Sequence, residues 1–345
     1  MKRDPGASLE LIEERLAGAV GAQHLRTSDG AVTVHPGSAA EIADVMRVAR
    51  EVNLPVGVGI LCGCIIDLMR MHNILHLDET SLLVSVQAGI TFDALEEEVS
   101  RRGLTLGPLP AWARGRTVGA LLSAPHPSEA SPRTGRFTRA CAGVAGLLPD
   151  GTEVVTRVAP RKATGPDLMH ALVGGRGTLG IITAATLRLQ RRGESHEEGS
   201  FRHPTVELAL RAARAILVGG GRPLELEVSP EPPTLSLSVD GTPLHAAAER
   251  QFAERLAIEH GGQLVPHLPP ARWGRAPHER FVPLFAIESA LPPGEGRVIG
   301  WHALGATVVD PGRAPDPPPP SSPLAERLKR RLDPSSRLPA WPGQS

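Results

Sequence analysis

Lys162-Ala-Thr-Gly-Pro-Asp-Leu-Met-His-Ala-Leu-Val-Gly-Gly-Arg-Gly-Thr-Leu-Gly-Ile-Ile-Thr183 is the stretch on which the reading of this chain turns. Pro166 is placed to open a short helix through Leu172, and Gly180 to Leu189 reads as a strand. Between them, Gly174, Gly175, Gly177 and Gly180 let the backbone approach a ligand closely and point N–H groups at anionic oxygens. Gly175, Gly177 and Gly180 formally match Gly-x-Gly-x-x-Gly. Here, however, the turn follows a helix and leads into a strand. That reverses the order of a dinucleotide-binding βαβ unit and argues against such a site. The Gly-Lys-Ser/Thr ending of a P-loop is also missing. On these residues alone, a tight turn at the start of a strand is the simpler reading.

Upstream, residues 8–18 carry apolar residues at helical spacing, and Ala31-Val-Thr-Val is a short strand. Ser38-Ala-Ala-Glu41 is a capping box, in which each side chain serves the other's exposed N–H. It opens a helix with Ile42, Val45, Met46 and Ala49 on one face, ending near Asn53. Strands are expected at Pro55–Ile60, Ile65–Leu68 and Leu82–Val86. Thr91 starts a helix striped by Phe92, Leu95 and Val99, with Gly103 placed to end it. Val144–Leu148 and Glu153–Val158 form a hairpin across Pro149-Asp-Gly151.

Downstream, the polar stretch Gln190–Gly199 reads as a linker. A helix at Val206–Leu217, strands at Leu224–Val228 and Leu235–Val239, and a helix at His245–Glu259 suggest a small α/β unit. Asp310–Ser322 is a proline-rich spacer, and Leu324, Leu328 and Leu332 mark a final short helix.

The totals bound the function. At 345 residues the chain is long enough for two cores. Its 37 basic and 37 acidic residues balance, which argues against a nucleic-acid partner. No stretch approaches a membrane span, and the N-terminus lacks the apolar core of a signal peptide, so a cytoplasmic location is expected. Cys62, Cys64 and Cys141 read as buried thiols, since no second Cys/His pair completes a zinc set; no metal site is expected. Tyrosine is absent, so no phenol acts as acid or base, and lysine occurs only at positions 2, 162 and 329.

The opening stretch resembles the "K-x-x-G-x-D-L … G-S-E-G-T-L-G-(I/V)-I-T" signature of FAD-linked oxidases of the glycolate-oxidase / D-lactate-dehydrogenase type. The resemblance places Gly177, Thr178, Gly180, Ile181 and Ile182 in the flavin wall, with Arg176 where the family has glutamate. Other motifs follow in family order. Thr33-Val-His-Pro-Gly-Ser-Ala-Ala-Glu-Ile resembles "V-x-P-x-S-x-x-E-V", Leu68-Met-Arg-Met-His-Asn-Ile resembles "D-L-S-R-M-N-x-I", and Val84-Ser-Val-Gln-Ala-Gly-Ile-Thr resembles "V-x-V-x-A-G-V-x". Thr117-Val-Gly-Ala-Leu-Leu-Ser resembles "T-I-G-G-x-I-A", which sets Thr117, Gly119 and Ala120 beside the flavin. Gly135-Arg-Phe-Thr-Arg resembles "Y-G-x-T-R-D", which puts Thr138 and Arg139 at cofactor-binding positions. Leu328-Lys-Arg-Arg-Leu-Asp-Pro resembles the "L-K-x-x-L-D-P" of a helix that returns to the first domain.

The fold implied is α+β: a two-subdomain FAD-binding domain of the vanillyl-alcohol-oxidase type (PCMH-type) at 1–190, a small α/β cap at 200–310, and a C-terminal helix at 323–338 rejoining the first domain. The function implied is an FAD-dependent oxidoreductase acting on a small hydroxy acid, with a non-covalent flavin.

The chain also departs from the pattern. The pyrophosphate loop, normally "R-G-G-G-T-S-x-x-G", is shortened here to Pro55-Val-Gly-Val-Gly-Ile-Leu-Cys-Gly. Gly57, Val58, Gly59 and Gly63 keep the cofactor positions, but the hydroxyl donors are gone. Several lost charge-assisted hydrogen bonds, at ~1.5–3 kcal/mol each, predict weak or lost FAD binding. Pro125, Pro127 and Pro132 remove further N–H donors where the family has "A-T-N-A-S-G". The missing tyrosine argues against the ether-lipid-synthase branch. The alternative to an enzyme is a non-catalytic or weakly flavin-binding homologue acting as a subunit or interaction protein in a complex, such as a partner subunit of an oxidase. No catalytic residue is assigned. Lys162 suits a cofactor-side or a surface role equally, Asp167 suits a helix cap, and His126 and the Trp301-His302 pair are candidates for ligand contact.

Overall fold

The computed structural model describes residues 9–28, 31–58, 63–109, 111–124, 131–158, 168–230, 232–266, 279–283, 297–302, 305–309, 323–336 and 338. The chain opens with α1 (Leu9–Val20), β1 (Leu25–Ser28), β2 (Ala31–Val34), α2 (Ala39–Glu51), β3 (Val56–Val58) and β4 (Cys64–Ile66). β1 pairs antiparallel with β2, and β2, β4 and β3 run parallel, in the order β1-β2-β4-β3. The local chemistry of α2 explains its position. Ser38 Oγ accepts from Glu41 N at 3.1 Å, satisfying an N–H that has no partner within the helix. Ile42, Val45, Met46, Val48 and Ala49 then face the core. The return leg of the expected capping box goes elsewhere: Glu41 Oε2 accepts from Gly37 N at 2.8 Å and pairs with Arg70.

Next come β5 (Ile74–Asp78), β6 (Leu83–Gln87), α3 (Phe92–Ser100), β7 (Leu104–Thr105), α4 (Ala111–Arg114), α5 (Val118–Ser123), β8 (Cys141–Leu147), β9 (Glu153–Val155), α6 (Met169–Leu172) and β10 (Ile181–Arg188). They build a five-stranded antiparallel sheet, β5-β6-β10-β8-β9. Thr91 caps α3, whose Phe92, Leu95 and Val99 are buried, and Gly103 closes it at a φ of +68°. One core runs from Ile12 to Leu189 across both sheets and takes in Leu338 from the chain's far end. Cys64 and Cys141 are buried free thiols; Cys62 lies outside the described residues.

The expected linker at Gln190–Gly199 is not one. Gln190–Arg191 forms β11, which pairs with β7, and Ser195–Arg202 forms β12, an inner strand of the second unit. That unit continues with α7 (Val206–Val218), β13 (Glu225–Pro230), β14 (Pro233–Gly241), α8 (Pro243–Glu259) and β15 (Gln263–Val265), in the sheet order β13-β14-β12-β15. Its separate core joins Phe201, Ile216, Val228 and Leu237 to small helix residues such as Ala213 and Ala253. β16 (Glu279–Pro283), β17 (Arg297–His302) and β18 (Gly305–Val309) form a third antiparallel sheet.

The C-terminal helix spans Pro323–Leu332. Its expected apolar stripe is corrected by the packing: Leu328 is 37% exposed, whereas Lys329 is buried. Lys329 Nζ donates to Thr178 O at 2.7 Å, to Leu338 O at 3.0 Å and to Asp333 Oδ2 at 2.6 Å. Asp333 Oδ2 also accepts from Leu338 N at 2.9 Å. A charge-assisted hydrogen-bond cluster therefore anchors this segment to the glycine turn.

Candidate functional site

The sequence motifs interlock through backbone contacts. A Cβ at Gly89 would sit 1.8 Å from Leu68 O, and one at Gly119 would meet Ala88 O at 3.0 Å. Glycine at these two positions lets the segments around residues 68, 89 and 119 nest against one another. Glu41 and Arg70, from two separate motifs, form an ion pair, and Arg70 NH1 also donates to His35 O at 2.7 Å.

The end of α5 and the turn at 174–182 come together. Gly174 N donates to Leu122 O and Arg176 N to Ser123 O, both at 2.8 Å, so the turn is bonded to the end of α5. The packing around Gly180 explains that glycine without a ligand, because a Cβ there would lie 2.6 Å from Leu147 O and 2.7 Å from Leu172 Cδ2. Gly177 differs: its φ is +74°, and nothing stands within 4 Å of its missing Cβ. Arg176 beside it is left-handed too, at 51°.

Most donors in this region are engaged by the protein. Val118 N donates to Ile90 O and Gly119 N to Ala88 O, each at 2.8 Å, while Ala120 N donates to Thr117 Oγ1 at 3.2 Å. In the turn, Gly175 N reaches Leu172 O, Thr178 N reaches Gly175 O, and the buried Thr178 hydroxyl donates to Gly175 O at 2.6 Å. Thr117 Oγ1, which accepts from Ala120, keeps its own proton to give. Ile181 and Ile182 are buried, at the start of β10.

The other expected positions lie apart from this group. Gly57 and Val58 are on β3, and Gly63 packs against Leu54 and Pro55 just before β4. Gly59, His126, Lys162 and Asp167 fall outside the described residues, and Trp301-His302 ends β17. Thr138 and Arg139 sit on a 3₁₀ turn just before Cys141, which pairs with Leu187, while Ile181 pairs with Leu147. At ~3.4 Å per residue they lie roughly 20 Å along the sheet from the glycine turn.

Two features carried no sequence signal. One is at the carboxyl ends of the parallel strands, where His35 Nδ1 stands 3.3 Å from Asp67 Oδ2 beside Arg70 and Glu41. The other is a cleft of about 770 Å³ between the first unit and the second, lined by residues such as Glu96, Arg191, His196, Glu225 and Asp240. Most of its acids are engaged: Asp93 with Arg114, Asp240 with Arg133, and Glu96 with Thr105 Oγ1 and Leu106 N. Among the described residues, no group of three or more His, Cys, Asp or Glu is arranged to hold a metal ion.

The family model described as "FAD binding domain" matches residues 30–157, the region that builds most of both sheets of the first unit. Over residues 30–157 the chain is thus similar to the FAD binding domain family. FAD is the cofactor this family binds, and the described residues fit its framework of turns and apolar strand ends while offering few uncommitted donors. The FAD-binding domain has curated relatives. The mitochondrial D-lactate dehydrogenase [cytochrome] of Arabidopsis thaliana is 26% identical over 67% of this chain and 46% of its own length. The D-lactate dehydrogenase of Archaeoglobus fulgidus is 26% identical over 54% of this chain and 44% of its own. The chain thus spans less than half the length of these two relatives. Among solved structures, an alkyldihydroxyacetonephosphate synthase covers 98% of this chain and 87% of its own, at 15% identity and a TM-score of 0.74. p-Cresol methylhydroxylase covers 75% and 67%, at 13% identity and a TM-score of 0.58. These two likenesses show the fold, mixed α and β as the motifs implied.

Proposed function

We propose that this chain is the flavin-binding part of an FAD-dependent oxidoreductase acting on a small hydroxy acid. Residues 1–190 with 323–338 would hold the flavin, and 200–310 would cap the substrate side. What carries the reading is the FAD-binding match over residues 30–157, whose motif segments interlock and whose helix α5 is bonded at its end to the glycine turn at 174–176. The D-lactate dehydrogenases among its relatives support the substrate class. Bound FAD would supply a two-electron acceptor for the hydrogen on the hydroxyl-bearing carbon, and the protein would bind and orient. In this reading the flavin is held non-covalently, by Thr117 Oγ1, the backbone around Gly177, and the positions at Gly57, Val58 and Gly63.

The engaged N–H groups at 118–120 and 174–178 favour a second reading, in which the flavin is weak or lost and the chain serves as a subunit of an oxidase complex. One preparation separates the two. Purified protein reconstituted with FAD is expected to hold flavin that is released by denaturation and bleached anaerobically by D-lactate or glycolate. If equilibrium dialysis against FAD leaves the chain colourless, the enzyme reading fails and the second one leads.

A further inference from the structure

A second cavity, of about 230 Å³, lies at the end of the sheet far from the glycine turn. The 3₁₀ turn Phe137–Ala140, the end of β10 and the segment after β7 wall it. Three arginines line it, Arg136, Arg139 and Arg188, and among the described residues no Asp or Glu does. Arg188 is pre-oriented, because its NH1 donates to the carbonyls of Arg139 at 3.2 Å and Cys141 at 3.1 Å. Arg139 lies across Gly135, where a Cβ would come within 2.7 Å of its Cδ. Leu106, Phe137 and Leu189, all buried, form an apolar part of the wall, beside Thr134 and Gln190. Pro108 and Gln190 are shared with the larger cleft between the two units, so the cavity adjoins that cleft.

We infer that this cavity is a binding site for a short-chain carboxylate. Guanidinium forks match the two oxygens of a carboxylate, and Arg136 and Arg139 stand in a wall that has no acid among its described lining residues. The volume is that of roughly seven water molecules at ~30 Å³ each, enough for a short organic acid and far too small for a nucleotide. The apolar part of the wall favours an acid with a carbon chain over inorganic phosphate, which offers nothing to bury there. The identity of that acid as a hydroxy acid rests on the oxidoreductase reading; the carboxylate site itself does not.

The test uses the full chain freed of flavin, titrated calorimetrically with propionate, D-lactate and inorganic phosphate. Saturable one-site binding of propionate and D-lactate is expected, and Arg139→Gln and Arg136→Gln should each weaken it about tenfold or more. Both arginines are exposed, so the variants should melt as the parent does. Arg191→Gln, in the neighbouring cleft, should leave the affinity unchanged. Non-saturating heats, an Arg139→Gln variant that binds like the parent, or phosphate binding more tightly than propionate would each overturn the assignment. Carboxylate binding to the apo chain, with no bleaching of added FAD by any hydroxy acid, would keep the site and remove the oxidoreductase reading.

Discussion

Replacing Lys329 with methionine should be the most damaging single change in the C-terminal segment. The ammonium lies in a buried cluster and donates to Thr178 O, Leu338 O and Asp333 Oδ2. Methionine fills the space of the stem and removes all three donors together with the charge that faces a carboxylate only 2% exposed. Breaking a buried pair from one side costs about 3–5 kcal/mol, because the remaining ion keeps its desolvation and loses its counter-charge. Against a total of about 5–15 kcal/mol for an ordinary domain, that is a large share. Equilibrium urea unfolding measures it. The companion is Lys329→Met with Asp333→Asn, which removes the charge and retains an acceptor for Leu338 N. It should recover at least about 1 kcal/mol relative to Lys329→Met, a coupling the double-mutant cycle isolates. The loss should also loosen the distant turn, so amides of residues 174–178 should exchange faster in Lys329→Met. A destabilisation under about 1 kcal/mol, or strictly additive single mutants, would refute the view that this cluster clamps the chain's end to the turn.

Gly180→Ala should cost about 1–3 kcal/mol through overpacking against Leu147 O and Leu172, with flavin occupancy falling in step with the melting temperature and not ahead of it. A full-occupancy, full-stability Gly180→Ala variant would contradict the packing. His203 in the second unit gives a pH signature. Burial holds its pKa below the usual 6.5, its Nδ1 faces His260 O at 3.2 Å, and its buried Nε2 has no hydrogen-bond partner among the described residues. The folded state thus keeps the ring neutral while the unfolded chain protonates it. Stability from this group is complete above pH 6.5 and is lost as pH falls from there toward the depressed value, at up to about 1.4 kcal/mol per pH unit. Urea midpoints at pH 7 and pH 5 should show that slope in the parent and a flatter one in His203→Gln.

Local chemistry was legible in the sequence, and long-range chemistry was not. Ser38 and Thr91 cap helices because a hydroxyl three residues before an N–H needs no information from elsewhere in the chain. The motif segments identified the first unit because their glycines are fixed by the packing of one segment on another. β5 escaped notice: it is an edge strand with Leu75 56% exposed, so no apolar alternation marks it. The supposed linker escaped because Ser195–Glu198 carries charge on a strand whose partners, β14 and β15, lie dozens of residues downstream. The buried role of Lys329 carried no local signal, since its acceptor on Thr178 is 151 residues away. The arginine cavity was half visible: the resemblance singled out Arg139 for the flavin, and the fold sets it beside Arg136 and Arg188.

The short hairpin at Ser131–Gly135 bridges the two units. Ser131 Oγ donates to Leu224 O at 2.6 Å, and Arg133 holds Asp240. Together with the β7–β11 pairing, these contacts fix the jaw of the large cleft like a caliper locked at one setting. Whatever fits between the units is gauged against a preset gap, so cutting the lock with Arg133→Ala and Ser131→Ala should change which sizes of ligand are admitted before it changes how the chain folds.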